Sequence, residues 1–307
     1  LGALTSRQFA ALSSAGIAAM DSTDFAAITS TQLRALTSGQ MRAMETADLP
    51  GLTTDALQGL SALQVAALSS AQLLALGTDR LAALASDQVR GLTTAQVRAL
   101  ASDGLNALTT EQFQALTTAQ LASLSNNQVA NLQTADLAAL SSAQVRALST
   151  AALAAMTTEQ ISVLASSQVT ALNSAQIRAI ESTDIAKLGS DTLTALTSVQ
   201  IAALTSTQID ALGSDQLRLL SAAQLRGLTS AQVATLATDD LNALTTDQLQ
   251  GLTSAQVGAL TSAQIAALDS AHLAALTSTV EENISAAAVI KAYCREEAAV
   301  RRFAEVS

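Results

Sequence analysis

Large apolar residues recur along this chain at alternating intervals of five and three residues, which defines a unit of eight. LTSAQVGA at residues 252–259 is one such unit, and LTSAQIAA at 260–267 follows it directly. Thirty-four of these octads run from residue 4 to residue 275 without an insertion or a deletion. A period this short and regular indicates one small structural unit stacked on copies of itself, which is a solenoid.

We number each octad from its leucine. Positions 1 and 6 are apolar in all thirty-four octads, position 8 is Ala or Gly in twenty-eight, position 3 is Ser or Thr in thirty-one, and position 5 is Gln in twenty-two. One continuous α-helix cannot accommodate this pattern, because two turns per octad would need about four residues per turn instead of about 3.6. The helix must therefore break once in every octad.

The residue types indicate where each helix begins and ends. Positions 4 to 8 hold good helix formers, and the Ser or Thr at position 3 is predicted to be the N-cap. Charges follow the helix dipole, with carboxylates at position 4 and arginines at position 7. The position-4 carboxylates are Asp55, Asp79, Asp87, Asp103, Glu111, Glu159, Asp191, Asp215, Asp239 and Asp247, and the position-7 arginines are Arg34, Arg42, Arg90, Arg98, Arg146, Arg178, Arg218 and Arg226.

Stacking must supply the stability, because isolated helices of one or two turns do not persist in water. Positions 6 and 1 lie three residues apart and share one helix face, so each octad directs two large side chains inward. Position 8 is expected to be small because a larger side chain would push neighbouring turns apart. Val163, Lys187 and Leu219 break that rule and should mark distortions or surface contacts. Pro50, the single proline, should kink its unit.

The predicted fold is an all-α solenoid of very short helices, one per octad, with a longer helix near the C-terminus. The alternative is a β-solenoid in which Gln, Ser and Thr form ladders between stacked strands. Richness in Ala and Gln, an aromatic content of only 2%, and the absence of a period of two favour helices.

Composition excludes several classes of partner. The net charge of −10 and a pI near 4.5 argue against nucleic acid and anionic membranes, which need clustered Lys and Arg. No apolar run of eighteen or more residues is present, so we predict no transmembrane segment. The few aromatic residues imply an aliphatic core.

The two ends are predicted to differ from the array. Residues 1–3 match the end of a preceding octad, so the array starts in mid-unit without a cap, as in a processed or excised chain or one that begins inside a longer protein. We divide the chain into a solenoid at 1–275 and a C-terminal cap or connector at 276–307. Ser278 and Glu281 have capping-box spacing, which predicts a helix at about 279–304. The candidate assembly contacts are Leu1, Leu4, Phe9, Val289, Tyr293, Val300 and Phe303.

The sequence contains no recognisable catalytic or metal-binding constellation. His272 is the only histidine and occupies the usual Gln position, so it should replace one polar surface or turn contact with another. Cys294 is the only cysteine, and a packed thiol is favoured over an intermolecular disulfide. The serines lack a His and Asp pair, and the glycines lack a phosphate-loop pattern. We predict no enzyme activity, no catalytic residues, no cofactor and no metal.

Two resemblances bear on function. LTTAQVRAL at residues 92–100 resembles the first helix of the TAL-effector DNA-binding repeat, but the 34-residue period and the base-reading pair are absent, so DNA binding does not carry over. The tandem LTxxQ[LIV]xA octads at 4–275 look like the repetitive regions of large bacterial secreted and cell-surface proteins, such as adhesin-like and matrix proteins. That resemblance implies an extracellular or cell-surface location and a spacer or polymer-forming role.

Three functional hypotheses follow. The first is an extracellular structural protein whose copies assemble into a filament, sheath or stalk through stacked octads and end contacts. The second is an acidic rod that binds a basic protein surface or mimics DNA; the irregular order of acidic octads along the chain counts against it. The third is a hydroxyl-rich surface that binds glycans or ice, which is weaker because the position-3 hydroxyls are expected to serve as caps.

Overall fold

Each octad folds into its own short helix. The computed structural model describes residues 1–281, which form 32 α-helices and one 3-10 helix, and no strand occurs among them. The all-α solenoid prediction is therefore confirmed, and the β-solenoid alternative is wrong. Residues 282–307, which include most of the predicted C-terminal helix, lie outside the described residues.

The described chain forms two units, Leu1–Val163 and a second that begins at Leu164. The first unit contains α1 Ser6–Ala10, α2 Ser14–Ala18, α3 Ser22–Ala26, α4 Ser30–Arg34, α5 Ser38–Ala43, the 3-10 helix Leu49–Gly51, α6 Thr54–Gln58, α7 Ala62–Ala67, α8 Ser70–Ala75, α9 Gly77–Ala82, α10 Ser86–Gly91, α11 Thr94–Ala99, α12 Ser102–Asn106, α13 Thr110–Ala115, α14 Thr118–Ala122, α15 Asn126–Ala130, α16 Thr134–Ala139, α17 Ser142–Ala147, α18 Thr150–Ala154 and α19 Thr158–Ser162. The second contains α20 Ser166–Thr170, α21 Ser174–Ala179, α22 Ser182–Ile185, α23 Ser190–Ala195, α24 Ser198–Ala203, α25 Ser206–Leu219, α26 Ala222–Leu225, α27 Ser230–Thr235, α28 Thr238–Ala243, α29 Thr246–Gln250, α30 Ser254–Gly258, α31 Ser262–Ala267 and α32 Ser270–Glu281.

The N-cap is the residue at position 2, not the one at position 3. In α11, Thr93 has extended backbone angles (φ −72°, ψ 156°), and its Oγ1 accepts a hydrogen bond from the backbone N–H of Gln96 at 3.2 Å. The same arrangement recurs in most octads. The prediction at position 3 was wrong by one residue because it overlooked the capping box S/T-x-x-Q formed by positions 2 and 5. α32 also begins at Ser270, so Ser278 lies inside a helix and not at its start.

Carboxylates at position 4 lie in the first turn, as predicted, and often accompany a missing cap. Seven octads have Gly or Ala at position 2, and six of them carry Asp at position 4. Ala101 and Ala237, for example, provide no capping side chain, and Asp103 and Asp239 lie in the first turns that follow. A negative charge there stabilises the free N–H groups at the helix start. The carboxylate thus replaces part of the interaction that the missing hydroxyl would supply.

Three octads complete one coil of the solenoid within each unit. Helices pack against those three octads away, as α7 does against α10 and α24 against α26. Each coil therefore places one octad on each of three sides. The octad repeat makes the sides alike, and the three-octad coil decides which octads are neighbours in space.

The core is a double row of aliphatic side chains. Every position-6 residue from Phe9 to Ile265 is buried, and so is every position-1 residue from Met20 to Leu276. This confirms the prediction that the side chains at positions 1 and 6 point inward. Leu4 and Leu12, the first two position-1 residues, are half-buried because the chain as described has no coil on that side of them.

Departures from the consensus alter the corners between helices. Pro50 lies within the 3-10 helix, so this octad loses its α-helix. Gly77 and Gly213, both at position 2, adopt φ of 76° and 67°, in the left-handed region that favours glycine, and Gly213 interrupts α25. The three large residues at position 8, Val163, Lys187 and Leu219, are all exposed.

Small residues at position 8 permit close approach of successive coils. A Cβ built on Gly91 would lie 2.6 Å from the Cβ of Ala62, at position 3 of the octad one coil earlier. Gly59, Gly227 and Gly251 meet position 3 of an earlier octad in the same way. The facing atoms at these sites are backbone and Cβ atoms, so there is no flexible side chain that could yield.

We expect Gly91→Ala to destabilise the first unit by about 1–3 kcal/mol, because the added methyl group overpacks a rigid contact. The matched control is Gly258→Ala, where no atom of the described residues lies within 4 Å of the new Cβ. That helical change should be neutral or stabilise the protein by up to about 1 kcal/mol. Urea unfolding followed by circular dichroism measures both; equal effects would contradict close contact between the coils.

Candidate functional site

The glutamine at position 5 connects each coil to the preceding one. In octad 92–99, Gln96 is 2% exposed, and its Oε1 accepts from the backbone N–H of Thr93 at 2.7 Å. Its Nε2 donates to the carbonyl oxygens of Val65 at 2.9 Å and Leu68 at 2.8 Å, which belong to the preceding coil. One side chain therefore binds the start of its own helix and the end of another.

This contact recurs throughout both units, and we call the set of bridging side chains the glutamine ladder. Its members are Gln32, Gln40, Gln64, Gln72, Gln88, Gln96, Gln112, Gln120, Gln128, Gln144 and Gln160 in the first unit, and Gln200, Gln208, Gln216, Gln224, Gln232, Gln248, Gln256 and Gln264 in the second. The expectation that position 5 makes surface or turn contacts was wrong.

The ladder satisfies backbone groups that short helices leave unpaired. The last four carbonyls of every α-helix lack a partner within the helix. In a helix of five or six residues, most of the carbonyls are therefore unpaired. The Nε2 of each ladder residue donates to carbonyls at positions 6, 7 or 1, where the earlier helix ends. Burying such carbonyls without a donor would cost about 1–3 kcal/mol each.

Other residue types replace glutamine at some positions and preserve part of the contact. Arg80 donates from Nε to the carbonyl of Leu52 at 2.7 Å and from Nη2 to the carbonyl of Pro50, which belongs to the 3-10 helix. His272 is 9% exposed, and its Nε2 lies 3.0 Å from the carbonyl oxygen of Leu244. His272 therefore has a structural role, in a buried ladder position instead of the expected surface or turn.

Aspartate at position 5 has a different partner. Thr110 Oγ1 donates to Asp136 Oδ1 at 3.0 Å, and Ser214 Oγ donates to Asp240 Oδ1 at 2.7 Å. Both hydroxyls lie at position 3 of the octad one coil earlier. Burial raises the pKa of Asp136, and the Thr110 hydrogen bond opposes part of that rise. A hydroxyl donor thus compensates incompletely for burying this carboxyl group.

Position 7 supplies a second connection in the opposite direction along the chain. Arg42 Nε donates to the carbonyl of Ala67 at 3.3 Å, and Arg226 Nε to that of Gly251 at 3.1 Å. Asn106 and Asn242 donate to the corresponding carbonyls one coil ahead, each at 2.8 Å. Each coil can therefore be held from both sides by side-chain donors.

The predicted assembly contacts fall into three groups. Leu1 is 38% exposed and Leu4 is half-buried, so both present apolar surface at the first coil. Phe9, also a predicted assembly contact, is fully buried and belongs to the core as a position-6 residue. Val289, Tyr293, Val300 and Phe303 lie outside the described residues, as does Cys294.

Residues 1–281 contain no group of three or more His, Cys, Asp or Glu side chains that could hold a metal ion. No helix in this part of the chain is long and apolar enough to cross a lipid bilayer.

The octad repeat matches a known family of sequence repeats. The family model for the ALTTAQ repeat matches residues 1–38, 41–78, 81–118, 95–126, 129–166, 177–214, 209–246, 233–270 and 242–278. The chain belongs to the ALTTAQ repeat family. No curated protein matches the sequence. The matched segments cover most of the octad array, so the ALTTAQ repeat corresponds to the octads whose glutamines form the ladder.

We expect Gln96→Glu to destabilise the first unit by about 3 kcal/mol near neutral pH, because a carboxylate would face the carbonyl oxygens of Val65 and Leu68 without a donor. Gln8→Glu is the matched control. Gln8 forms the same capping box with Thr5 but is exposed and has no earlier described coil beneath it. Its replacement should change stability by less than about 0.5 kcal/mol. Thermal unfolding measures both, and equal effects would show that the connection between coils contributes little.

We expect Asp136→Asn to stabilise the protein near neutral pH. Because burial raises the pKa of Asp136, its contribution to stability is fully present below the ordinary Asp pKa and is lost as pH rises through the folded-state value. The gain from the amide should therefore shrink on acidification. Melting temperatures of variant and parent over acidic to neutral pH test this. Exposed Asp103→Asn, which removes a carboxylate from a helix start, should instead destabilise slightly at neutral pH.

Proposed function

We propose that this ALTTAQ repeat chain is a structural protein outside the cell or on its surface, whose stacked coils act as a scaffold that assembles into a filament, sheath or stalk. The observation that carries the proposal is the glutamine ladder. It makes one coil the binding site for the next, using equivalent backbone carbonyls and side-chain amides in most octads. Copies of the chain are therefore the partners that the architecture fits best.

The first coil shows which groups a coil presents to a preceding one. Gln8 is exposed and its Nε2 has no carbonyl to bind among the described residues, while Leu4 and Leu12 are only half-buried. In every internal coil, the corresponding groups are covered by the preceding coil, which has the same pattern. A coil from a preceding stretch of chain or from a second copy has the complementary carbonyls and apolar residues. An end-to-end contact between copies, made in the way that one coil meets the next and not closing on itself, forms a filament.

A second candidate function is an acidic rod that binds a basic partner. Its supporting observation is that exposed carboxylates align, since Asp55, Asp79 and Asp103 follow one another at intervals of three octads, which is one coil. Asp191, Asp215 and Asp239 repeat the pattern in the second unit. The irregular order of acidic octads along the chain, which counted against this function, therefore corresponds to regular columns in space.

Electron microscopy of the concentrated protein tests the scaffold proposal. We expect filaments whose axial repeat matches one chain, and we expect Leu4→Glu to abolish them by placing a charge on the exposed edge. Leu74→Glu is the control, since Leu74 is 46% exposed at position 7 and away from that edge. Single rods at all concentrations would contradict self-assembly and favour the acidic rod.

A further inference from the structure

A second, much longer repeat underlies the octads. Gly77 and Gly213, the two positive-φ residues of the described chain, are seventeen octads apart. Leu63 and Val199, the most exposed large apolar side chains at 81% and 68%, have the same separation. These residues depart from the octad consensus, so the octad period alone does not explain their spacing. Asn106 and Asn242, with matching hydrogen bonds, share it as well.

The long repeat presents one distinctive surface in each unit, which we call the arginine face. In the first unit, octads 36–43, 60–67 and 84–91 stack on one side and carry Arg42, Leu63 and Arg90. In the second, octads 172–179, 196–203 and 220–227 carry Arg178, Val199 and Arg226. All six side chains are exposed. Each face is therefore an aliphatic residue with an arginine one coil before it and another one coil after it.

Three of the four arginines of these faces are held in place by a hydrogen bond to a backbone carbonyl one coil ahead. Arg42 Nε donates to the carbonyl of Ala67, which ends the helix that carries Leu63. Arg178 Nε donates in the same way to Ala203, which ends the helix that carries Val199. The terminal nitrogens of these guanidinium groups stay available for a carboxylate, because the hydrogen bond uses Nε. Asp87 is the one acidic residue within the six octads.

The long repeat also generates a complementary surface, the aspartate face, formed by Asp55, Asp79 and Asp103 in the first unit and Asp191, Asp215 and Asp239 in the second. All six carboxylates are exposed. The cations in these octads are Arg80, which binds backbone carbonyls of the preceding coil, and Arg218. The middle octad of each face contains Gly77 or Gly213, where a Cβ would have no described atom within 4 Å.

We propose that the arginine face of one chain binds the aspartate face of a second copy, so that solenoids associate side by side. The spacing supports this pairing, because Arg42 and Arg90 are two coils apart, as are Asp55 and Asp103. Both pairs lie in one unit with one coil geometry, so their separations correspond whatever the rise per coil. The exposed aliphatic residue then packs at the open middle octad. The inference rests on the proposed scaffold function and adds a lateral contact to the end contact.

This contact explains why an acidic protein retains exposed arginines beside an exposed leucine or valine. Charge complementarity selects the partner and fixes its register, and burying the aliphatic side chain adds apolar area. The two faces differ, so the contact is heterologous, and it continues from chain to chain where the rotation between copies does not close a ring. Side-by-side copies would produce a sheet or bundle, whereas the end contact alone produces a single filament.

Photo-crosslinking maps the contact directly. Leu63 is replaced by benzoylphenylalanine in a chain of natural isotope content, which is mixed with a ¹⁵N-labelled copy, so that a crosslink between copies is identified by mass. We expect labelled peptides from octads 52–59, 76–83 and 100–107 or from 188–195, 212–219 and 236–243. Absence of crosslinks between copies, or crosslinks to other octads, would overturn the proposal.

Variants separate the lateral contact from folding and from end-to-end assembly. The change R42E/R90E/R178E/R226E should lower lateral association in sedimentation velocity by at least about tenfold, as should raising NaCl from about 0.05 M to about 0.5 M. The variant R7E/R34E/R98E/R146E has the same net charge and should associate at least about tenfold more tightly than the first. Equal association of the two variants would refute charge pairing at the arginine faces.

A third variant, L63S/V199S, tests the lateral contact without disturbing the fold, because both side chains are exposed and lie outside the core. It should weaken lateral association with unchanged circular dichroism. In electron microscopy the arginine-face variant should still form single filaments, and only the bundles should disappear. The variant Leu4→Glu should show the reverse, with filaments lost and lateral association unaffected. The two variants together distinguish failure of the end contact from failure of the lateral contact.

Discussion

The amide of the position-5 glutamine is the interaction on which this solenoid depends. Its oxygen accepts from the N-cap of its own helix, and its nitrogen donates to the carbonyls that end a helix of the coil before. A helix of one and a half turns has nearly all of its backbone groups at its ends, so it can be buried only if both ends are satisfied. Glutamine is long enough and has both a donor and an acceptor, which no carboxylate or hydroxyl side chain offers together with that length.

The same contact makes folding cooperative across coils. A single octad contributes two buried aliphatic side chains, which cannot compensate for ordering the whole octad. Adding a coil buries another double row and also completes the helix ends of the coil before it. Stability is therefore a property of neighbouring pairs, as expected for a quasi-one-dimensional array. Octads that lack the ladder glutamine, such as those with Ala56 or Gly104, still bury their position-6 leucines fully in the core.

Much of this architecture could be predicted from the octad. The apolar pair at positions 1 and 6, the break in every octad, the charge placement and the small position 8 all follow from local physics and are observed. The N-cap was misplaced because Ser and Thr fill positions 2 and 3 alike, and only the Gln three residues after position 2 distinguishes them. The burial of that Gln was missed because its partners belong to the preceding coil, three to four octads earlier and beyond any local pattern. Three octads per coil is likewise set by corner angles that the repeat does not encode in any single residue.

One octad of this protein is distinguished from another by the residues that depart from the consensus. Consensus octads are interchangeable for folding, so they cannot distinguish one side of the solenoid from another. Leu63 and Val199 add nothing to the core, and Gly77 and Gly213 lack the capping side chain that Ser or Thr supplies at position 2 in most octads. Folding alone gives no reason for such features to recur seventeen octads apart, at matching places in two units. A requirement on the surface does give one, because each unit then presents the same arginine and aspartate faces to a partner. The octad period therefore specifies the fold, and the longer period specifies which side chains the fold presents on its surface.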